Sequence, residues 1–401
     1  MVQRPQTRSR FFRAARAVLD PCSSPAKDVV IEVVDGVIRR VRPDGQWRRS
    51  TSETIDFRDG VLTAGIGDAH VHLGFDGSDQ PEAVMRSRDR SALDALIARN
   101  AAALVARGVT TVRDLGCLGT AVTELAGRWM NDPRFPRVIA ANQPLTRTGG
   151  HCDYMATMCD DLSALLEGVA ARHSEGAEVV KIMLTGGFMH PEGDTPFRSV
   201  YDRATLQGAV EAAHSLGMTV AVHAHGTAGI AIAAEAGADS VEHCSMASPG
   251  GVDVDRGVLS LLADSGTHAI PTVSSVWDQP LPWAPRDTAI NVISQLHGAG
   301  VRIAFGTDTG IPGVLPGDHV SGLQILAEAG LPPEEVWAAA TVNAAQVCGL
   351  GERVGLLRPG SAADMLVLDT DPRDDLAALA NPRRVIKGGL EVPIEEDGRG
   401  R

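Results

Sequence analysis

The chain has 401 residues, of which 44% are hydrophobic and 22% charged, and carries a formal net charge of −13. That is enough chain for a large packed core beside a smaller unit, and the acidic balance excludes the basic footprint expected of a nucleic-acid binder. No apolar run is long enough to span a bilayer, so no membrane partner is expected. The six cysteines form no Cys-x-x-Cys pair and suggest no disulfide framework. The basic opening stretch has no apolar segment behind it, and a cytoplasmic location follows.

In chain order, residues 14–42 read as short alternating strands turning at Asp35-Gly36, a hairpin signal. From residue 61 the pattern changes to apolar strand-like runs separated by Ala-, Leu- and Arg-rich helical stretches. The runs fall at 61–66, 110–113, 137–141, 179–184, 219–222, 240–241, 268–271 and 302–305. Asp202 is placed to cap a helix ending near Gly217. Eight strand–helix repeats predict an α/β fold, a parallel (β/α)8 TIM barrel, with a doubly wound open sheet as the alternative. Residues 333–348 read as a helix leading out of the barrel. The segments 354–357, 365–368 and 384–386 then read as strands again. The expected organisation is a β-rich, sandwich-like domain from residues 1–63 and 349–401 beside a barrel of residues 64–348.

The chemistry gathers where a barrel keeps its active site, at the C-terminal strand ends. His70 and His72 close the first strand and share one side of it, because side chains alternate along a strand. Lys181 sits within the fourth strand and is one of only three lysines in the chain. His223 and His225 end the fifth strand, Glu242-His243 the sixth, and Gly306-Thr307-Asp308 the eighth. This is more than one tetrahedral zinc can use, so two divalent ions are expected. Such a pair shares a bridging hydroxide and clamps the reacting carbonyl. Zinc, manganese and cobalt all suit these donors. An ammonium would repel the ions, whereas Lys181 converted to a carbamate by carbon dioxide would bridge them. Asp308 is placed to ligate an ion, take a proton from the bridging water and pass it to the leaving nitrogen.

These residues, together with the closing run from Gly355 to Asp364, resemble the amidohydrolase superfamily over nearly the whole chain. Within it, the similarity is to the binuclear branch and its Xaa-Pro dipeptidase-like, acyl-amino-acid-cleaving subgroup. The resemblance implies that His70 and His72 hold the more buried ion. It implies the carbamate bridge at Lys181, His223 and His243 on the second ion, and Asp308 as ligand and general base. His225 falls on a position that touches substrate in relatives and is often tyrosine there. His151, after Gly149-Gly150, corresponds to a histidine that polarises the scissile carbonyl. Cys152 beside it reads as packing, and Glu242 as a supporting residue. The loop from Thr185 to Tyr201 lines the pocket and offers His190, Arg198 and Tyr201 as specificity residues. Trp277, Trp283 and residues 279–286 form another wall.

The function expected is metal-dependent cleavage of an amide bond in a small-molecule or peptide-like substrate. A dipeptidase or carboxypeptidase-like enzyme fits, as does a tailoring hydrolase on a modified peptide, such as one removing a follower peptide. The runner-up is a cyclic amide or amidine hydrolase, or a deaminase, resembling imidazolonepropionase. Lys181 argues against a deaminase, which needs one metal and no bridge. A non-catalytic binding barrel is the third reading, and the complete ligand set argues against it. A homo-oligomer is compatible with all of these.

Overall fold

The computed structural model describes residues 9–43, 45, 53–188 and 195–393. The chain opens with β1 (Ser9–Val18), β2 (Ala26–Val34), β3 (Val37–Pro43), β4 (Glu53–Asp56) and β5 (Val61–Ala64). The barrel follows with β6 (Ile66–Val71), β7 (Val109–Asp114), β8 (Arg137–Ala140), β9 (Leu145–Thr146), β10 (Thr157–Met158) and β11 (Val179–Met183). It continues with β12 (Thr219–Gly226), β13 (Ser240–Ser248), β14 (Gly251–Val252) and β15 (His268–Ile270). The chain closes with β16 (Met365–Leu368), β17 (Arg384–Lys387) and β18 (Leu390–Glu391).

Both ends of the chain build one sheet in the order β18-β17-β16-β5-β1-β2-β3, with β4 also paired to β1. The Asp35-Gly36 turn joins antiparallel β2 and β3 and holds both residues at positive φ, 50° and 77°, as a tight two-residue hairpin requires. Phe12, Ile31, Ile38, Leu62 and Met365 pack a small core on this sheet. Three details depart from the sequence reading. The run 61–66, read as the first barrel strand, is split: Val61–Ala64 joins the end sheet between β1 and β16, and Ile66–Val71 opens the barrel. The sheet begins at Ser9, ahead of residue 14. No strand forms over 354–357, where the chain bends and Leu357 N donates to the Leu19 carbonyl at 2.9 Å.

The barrel strands follow one another in chain order. β6 pairs β7 and β7 pairs β8, all parallel. β9 continues the third strand position and pairs β11, and β11, β12, β13 and β15 pair in turn, again parallel. The eighth position is the segment 302–309, an almost bridge-free strand. It is hydrogen-bonded to β15 through Ala304 N and Ala269 O, and to β6 through Ala69 N and Phe305 O and through Asp308 N and His70 O. Every residue of β6, β7 and β11 is buried, as expected for parallel strands covered on both faces. The helices cap where the sequence predicts. Asp202 accepts from Thr205 N at 2.8 Å, and Gly217 ends that helix at φ 77°. The helix near residue 333 runs Pro333–Ala338, widens by one turn over Ala339–Asn343 and finishes at Ala344–Val347. None of the described helices is long and apolar enough to cross a membrane.

One backbone feature singles out the barrel mouth. The described non-glycine residues at positive φ are Asn142, Cys152, His243, Cys244, Met246, Thr272 and Asp308, apart from Asp28 and Asp35 in the small sheet. Asn142, Thr272 and Asp308 lie at or just past barrel strand ends, His243, Cys244 and Met246 within β13, and Cys152 in the loop after β9. For a β-branched residue such as Thr272, at φ 51°, this conformation is costly. Costly conformations of this kind concentrate where surrounding structure holds functional groups in place.

Candidate active site

Two groups of donors converge at the mouth. The ligating atoms of His70, His72 and Asp308 lie within 4.8 Å of one another, and so do those of His223, His225 and His243. His243 lies between the groups, with its ring 5.3 Å from that of His70 and 4.5 Å from that of His223. Lys181 is buried on β11, and its Nζ has no hydrogen-bond partner among the described residues.

Backbone and carboxylate acceptors set the histidine tautomers. A carboxylate or carbonyl oxygen can only accept, so the ring nitrogen facing it must carry the proton. His70 Nδ1 therefore donates to Glu242 Oε2 at 2.7 Å, and His72 Nδ1 to the Gly116 carbonyl at 3.2 Å. Each ring then turns an Nε2 lone pair toward Asp308 Oδ1, at 3.3 Å from His70 and 3.2 Å from His72. Two lone pairs and a carboxylate oxygen at this range repel unless a proton or a cation sits among them. His223 Nε2 donates to the Gly186 carbonyl at 3.0 Å, leaving Nδ1 as its lone pair. His225 Nδ1 meets Ser245 Oγ at 2.9 Å, and His243 Nδ1 meets Thr272 Oγ1 at 3.0 Å.

The electrostatics suit metal binding. Burial and the repulsion of neighbouring imidazoles hold His223 and His243 well below the ordinary histidine range. Burial takes His225 down to about 3. These rings are therefore neutral, the form that ligates. Burial would raise Asp308, but His70 and His72 outweigh it and hold the carboxyl well below its usual range. Burial, partly offset by Glu242 and Asp308, lowers the Lys181 amine to about 8. A fraction of it is thus unprotonated near neutral pH, as reaction with carbon dioxide requires.

A residue that the sequence did not single out supports the first group. Arg113, fully buried on β7, donates to Glu242 Oε1 at 2.9 Å, Ala69 O at 2.7 Å and Ser240 Oγ at 3.0 Å. Burial would push the Glu242 carboxyl up, but Arg113 and His70 hold it down at about 2. The signal in the sequence was an arginine inside an apolar strand, where a buried charge demands a buried partner.

The other expected site residues separate clearly. His151 is buried at the cavity, with its ring 4.4 Å from that of His223. Gly187 lies against it, and a Cβ there would come 2.7 Å from His151 Nε2. Cys152 also lines the cavity, but burial pushes its thiol up to about 12, which leaves no thiolate for nucleophilic work. Tyr201 is not brought to the cavity. It packs in the core, and its hydroxyl donates to the Cys159 carbonyl at 2.6 Å, so the expected substrate contact is not available to it. Arg198 is exposed, and His190 lies outside the described residues. Trp277 and Trp283 line the cavity as expected. His268 stands at the opposite end of its strand, against Gln346.

Donors gathered at the C-terminal mouth of a parallel eight-stranded barrel define a hydrolytic enzyme of the (β/α)8 class. The chain belongs to the amidohydrolase family, whose model matches residues 61–392, and it is a hydrolase of carbon–nitrogen bonds. It is 28% identical to ochratoxinase of Aspergillus niger over 91% of this chain and 83% of that protein. It is 29% identical to imidazolonepropionase of Symbiobacterium thermophilum over 84% of this chain and 82% of that one. Among solved structures, a Xaa-Pro dipeptidase with methionine bound in its active site superposes with a TM-score of 0.82 at 25% identity, covering 96% of this chain and 99% of the other. The A. niger ochratoxinase structure superposes with a TM-score of 0.83 at 26% identity, covering 96% and 95%.

Proposed function

We propose that the site holds two divalent ions and cleaves an amide bond in a peptide-like or N-acyl amino acid substrate. The observation that carries this reading is the approach of the His70 and His72 Nε2 atoms to Asp308 Oδ1 at 3.3 and 3.2 Å, with both opposite nitrogens committed as donors. His70, His72 and Asp308 would hold the first ion. His223 and His243 would hold the second, their rings meeting at 71° so that in-plane lone pairs can converge. His225 lies nearly parallel to His243, at 16° and 4.5 Å between centroids. Stacked on His243 and joined through Nδ1 to Ser245 Oγ, His225 would face substrate. Lys181, as a carbamate formed from its neutral amine and carbon dioxide with release of a proton, would bridge the ions.

Zinc, or manganese or cobalt in its place, supplies a water acidic enough to deprotonate near neutral pH and a Lewis acid for the carbonyl. Asp308 takes the proton of the attacking water and returns it to the leaving nitrogen. His151 donates a hydrogen bond to the carbonyl oxygen as negative charge builds there. The substrate lies between these groups and the aromatic wall at Trp277. The likeness to a Xaa-Pro dipeptidase and to ochratoxinase supports a peptide-like or N-acyl substrate over a cyclic amide. A cytoplasmic location accords with the free cysteines.

The test is to load purified protein with zinc, manganese or cobalt, count bound ions by mass spectrometry, and screen Xaa-Pro, Xaa-Arg, N-acyl amino acid and modified-peptide libraries for cleaved amides. About two ions per chain with amide turnover is the expected result. Full activity with one ion would overturn the binuclear reading, and turnover confined to cyclic amides or amidines would overturn the substrate class.

A further inference from the structure

The cavity above the donors is small and uneven in chemistry. Its volume is about 180 Å³, close to the roughly 150 Å³ that accommodates a benzene ring in an apolar cavity. One side is the donor cluster. The other is built by the chain that leaves β15, where Val276, Trp277, Leu281, Pro282 and Trp283 stand together. Trp277 is buried, and its indole N–H donates to the Thr272 carbonyl at 3.2 Å. Its polar edge is therefore used within its own loop. Trp283 packs edge-to-face on it, with centroids 5.9 Å apart at 79°. Phe75 lies against the His72 ring at 5.1 Å, and Phe188 lies edge-on to His225 at 4.8 Å.

Among the described residues, no charged side chain able to hold a substrate carboxylate stands in this wall. Among the described residues, Lys181 and Asp308 are the only fully charged types lining the cavity, and both belong to the donor cluster. The hydroxyls of Ser245 and Thr272 are engaged with His225 and His243. The cation nearest in sequence to the wall, Arg286, is turned into a two-pronged pair with Glu328, with both contacts at 2.7 Å. A carboxylate placed against Trp277 and Trp283 would lose hydration and find no cationic partner among the described residues of the wall, at a cost of several kcal/mol. A flat apolar ring would gain edge and face contacts there.

We infer that this enzyme takes an amide whose arm on the Trp277–Trp283 side is a single uncharged ring or an apolar group of that size, and that it discriminates there against arms ending in a carboxylate. The inference rests on the amide-hydrolase reading for its chemistry and on the wall for its selectivity.

The experiment uses the full-length, metal-loaded protein. Acetanilide and N-benzoylglycinamide carry a neutral ring on the amine and acyl sides, and N-acetylglutamate and N-succinylglycinamide are their charged counterparts. At least one neutral-ring amide is expected to exceed its counterpart in kcat/KM by about 100-fold, chiefly through KM. Trp283→Ala should shrink that ratio about 10-fold. Trp283 is only half-buried, and Trp283→Leu provides a second variant that keeps apolar bulk. Calorimetric binding of toluene against methanesulfonate, neither of which carries an amide bond or a strongly ligating carboxylate, reads the wall without turnover. If amides are cleaved but carboxylate arms serve as well as rings, the inference is overturned and the amide reading stands. If toluene binds, Trp283→Ala weakens it and no amide is cleaved, the amide reading falls and the wall's selectivity stands. Equal binding of toluene and methanesulfonate also overturns the inference.

Discussion

Glu242 Oε2 lies 2.7 Å from His70 Nδ1, while its other oxygen is held by Arg113 at 2.9 Å. The three side chains form a buried line running from β7 through β13 to β6, and its end is the Nε2 that faces Asp308. A carboxylate behind a ligating histidine fixes its tautomer and raises its basicity. Glu242→Gln keeps the shape and removes the charge. It should weaken metal binding at the first site about 10- to 100-fold, measured by competition against a chelator. Because the variant also leaves Arg113 without its ion partner, circular dichroism should accompany the titration. Unchanged affinity in a folded variant would show that the line has no part in holding the ion.

His151 is wedged by Gly187, where an added Cβ would meet the imidazole. Gly187→Ala should push the ring off its position and lower kcat about 10²- to 10³-fold, the size seen when one oxyanion donor is removed. His151→Asn should act in the same direction. In both variants the two ions should stay bound. Loss of metal from either would make His151 a ligand and remove it from the carbonyl.

Lys181→Ala removes the bridging group from a fully buried position. The variant should retain at most one ion and lose turnover, and short-chain acids such as acetate or propionate, supplied at high concentration, should restore part of both. Two ions bound at wild-type affinity without any added acid would dismiss the carbamate. Chelation of the wild-type protein should lower its unfolding midpoint, because ions that bind only the folded state stabilise it by mass action.

Acid should destabilise the protein through a histidine remote from the mouth. Burial holds His268 down at about 4 in the folded chain, against about 6.5 for an unfolded histidine. Between these values the unfolded chain takes up a proton that the folded chain refuses, so stability is fully present above about pH 6.5 and falls as pH drops toward 4. At pH 5 the loss from this group is about 2 kcal/mol by linkage. Urea unfolding at pH 7.5 and pH 5 should show a smaller difference for His268→Gln than for wild type. Equal differences would mean that His268 exchanges protons freely when folded.

Much of this site was legible along the chain because strands write a simple code. His70 and His72 are two residues apart on a strand, and period-two alternation puts them on one side without knowledge of anything else. The strand–helix repeat predicts a barrel, and a barrel places strand ends at one mouth. Lys181, the pair His223 and His225, His243 and Asp308 could therefore be brought to one mouth from their positions alone, whereas the choice of His223 over His225 as a ligand came only from the family resemblance. The Asp35-Gly36 hairpin and the Asp202 cap were equally local matters of backbone geometry and one side-chain oxygen.

The rest depended on groups far apart in sequence and on directions that no spacing encodes. Tyr201 lies on the expected loop, yet its hydroxyl reaches the Cys159 carbonyl and leaves the cavity. Arg113 and Glu242 are 129 positions apart and meet only because β7 and β13 face each other across the barrel interior. The tilt between His225 and His243, and the turning of Arg286 away to Glu328, are settled by packing in three dimensions. The sequence by itself determined which strand-borne histidines, lysine and aspartate stand at the mouth, because strand periodicity is local. The tertiary structure alone decided which lone pairs face one another and which wall lines the cavity, because hydrogen-bond direction and ring orientation belong to contacts between strands.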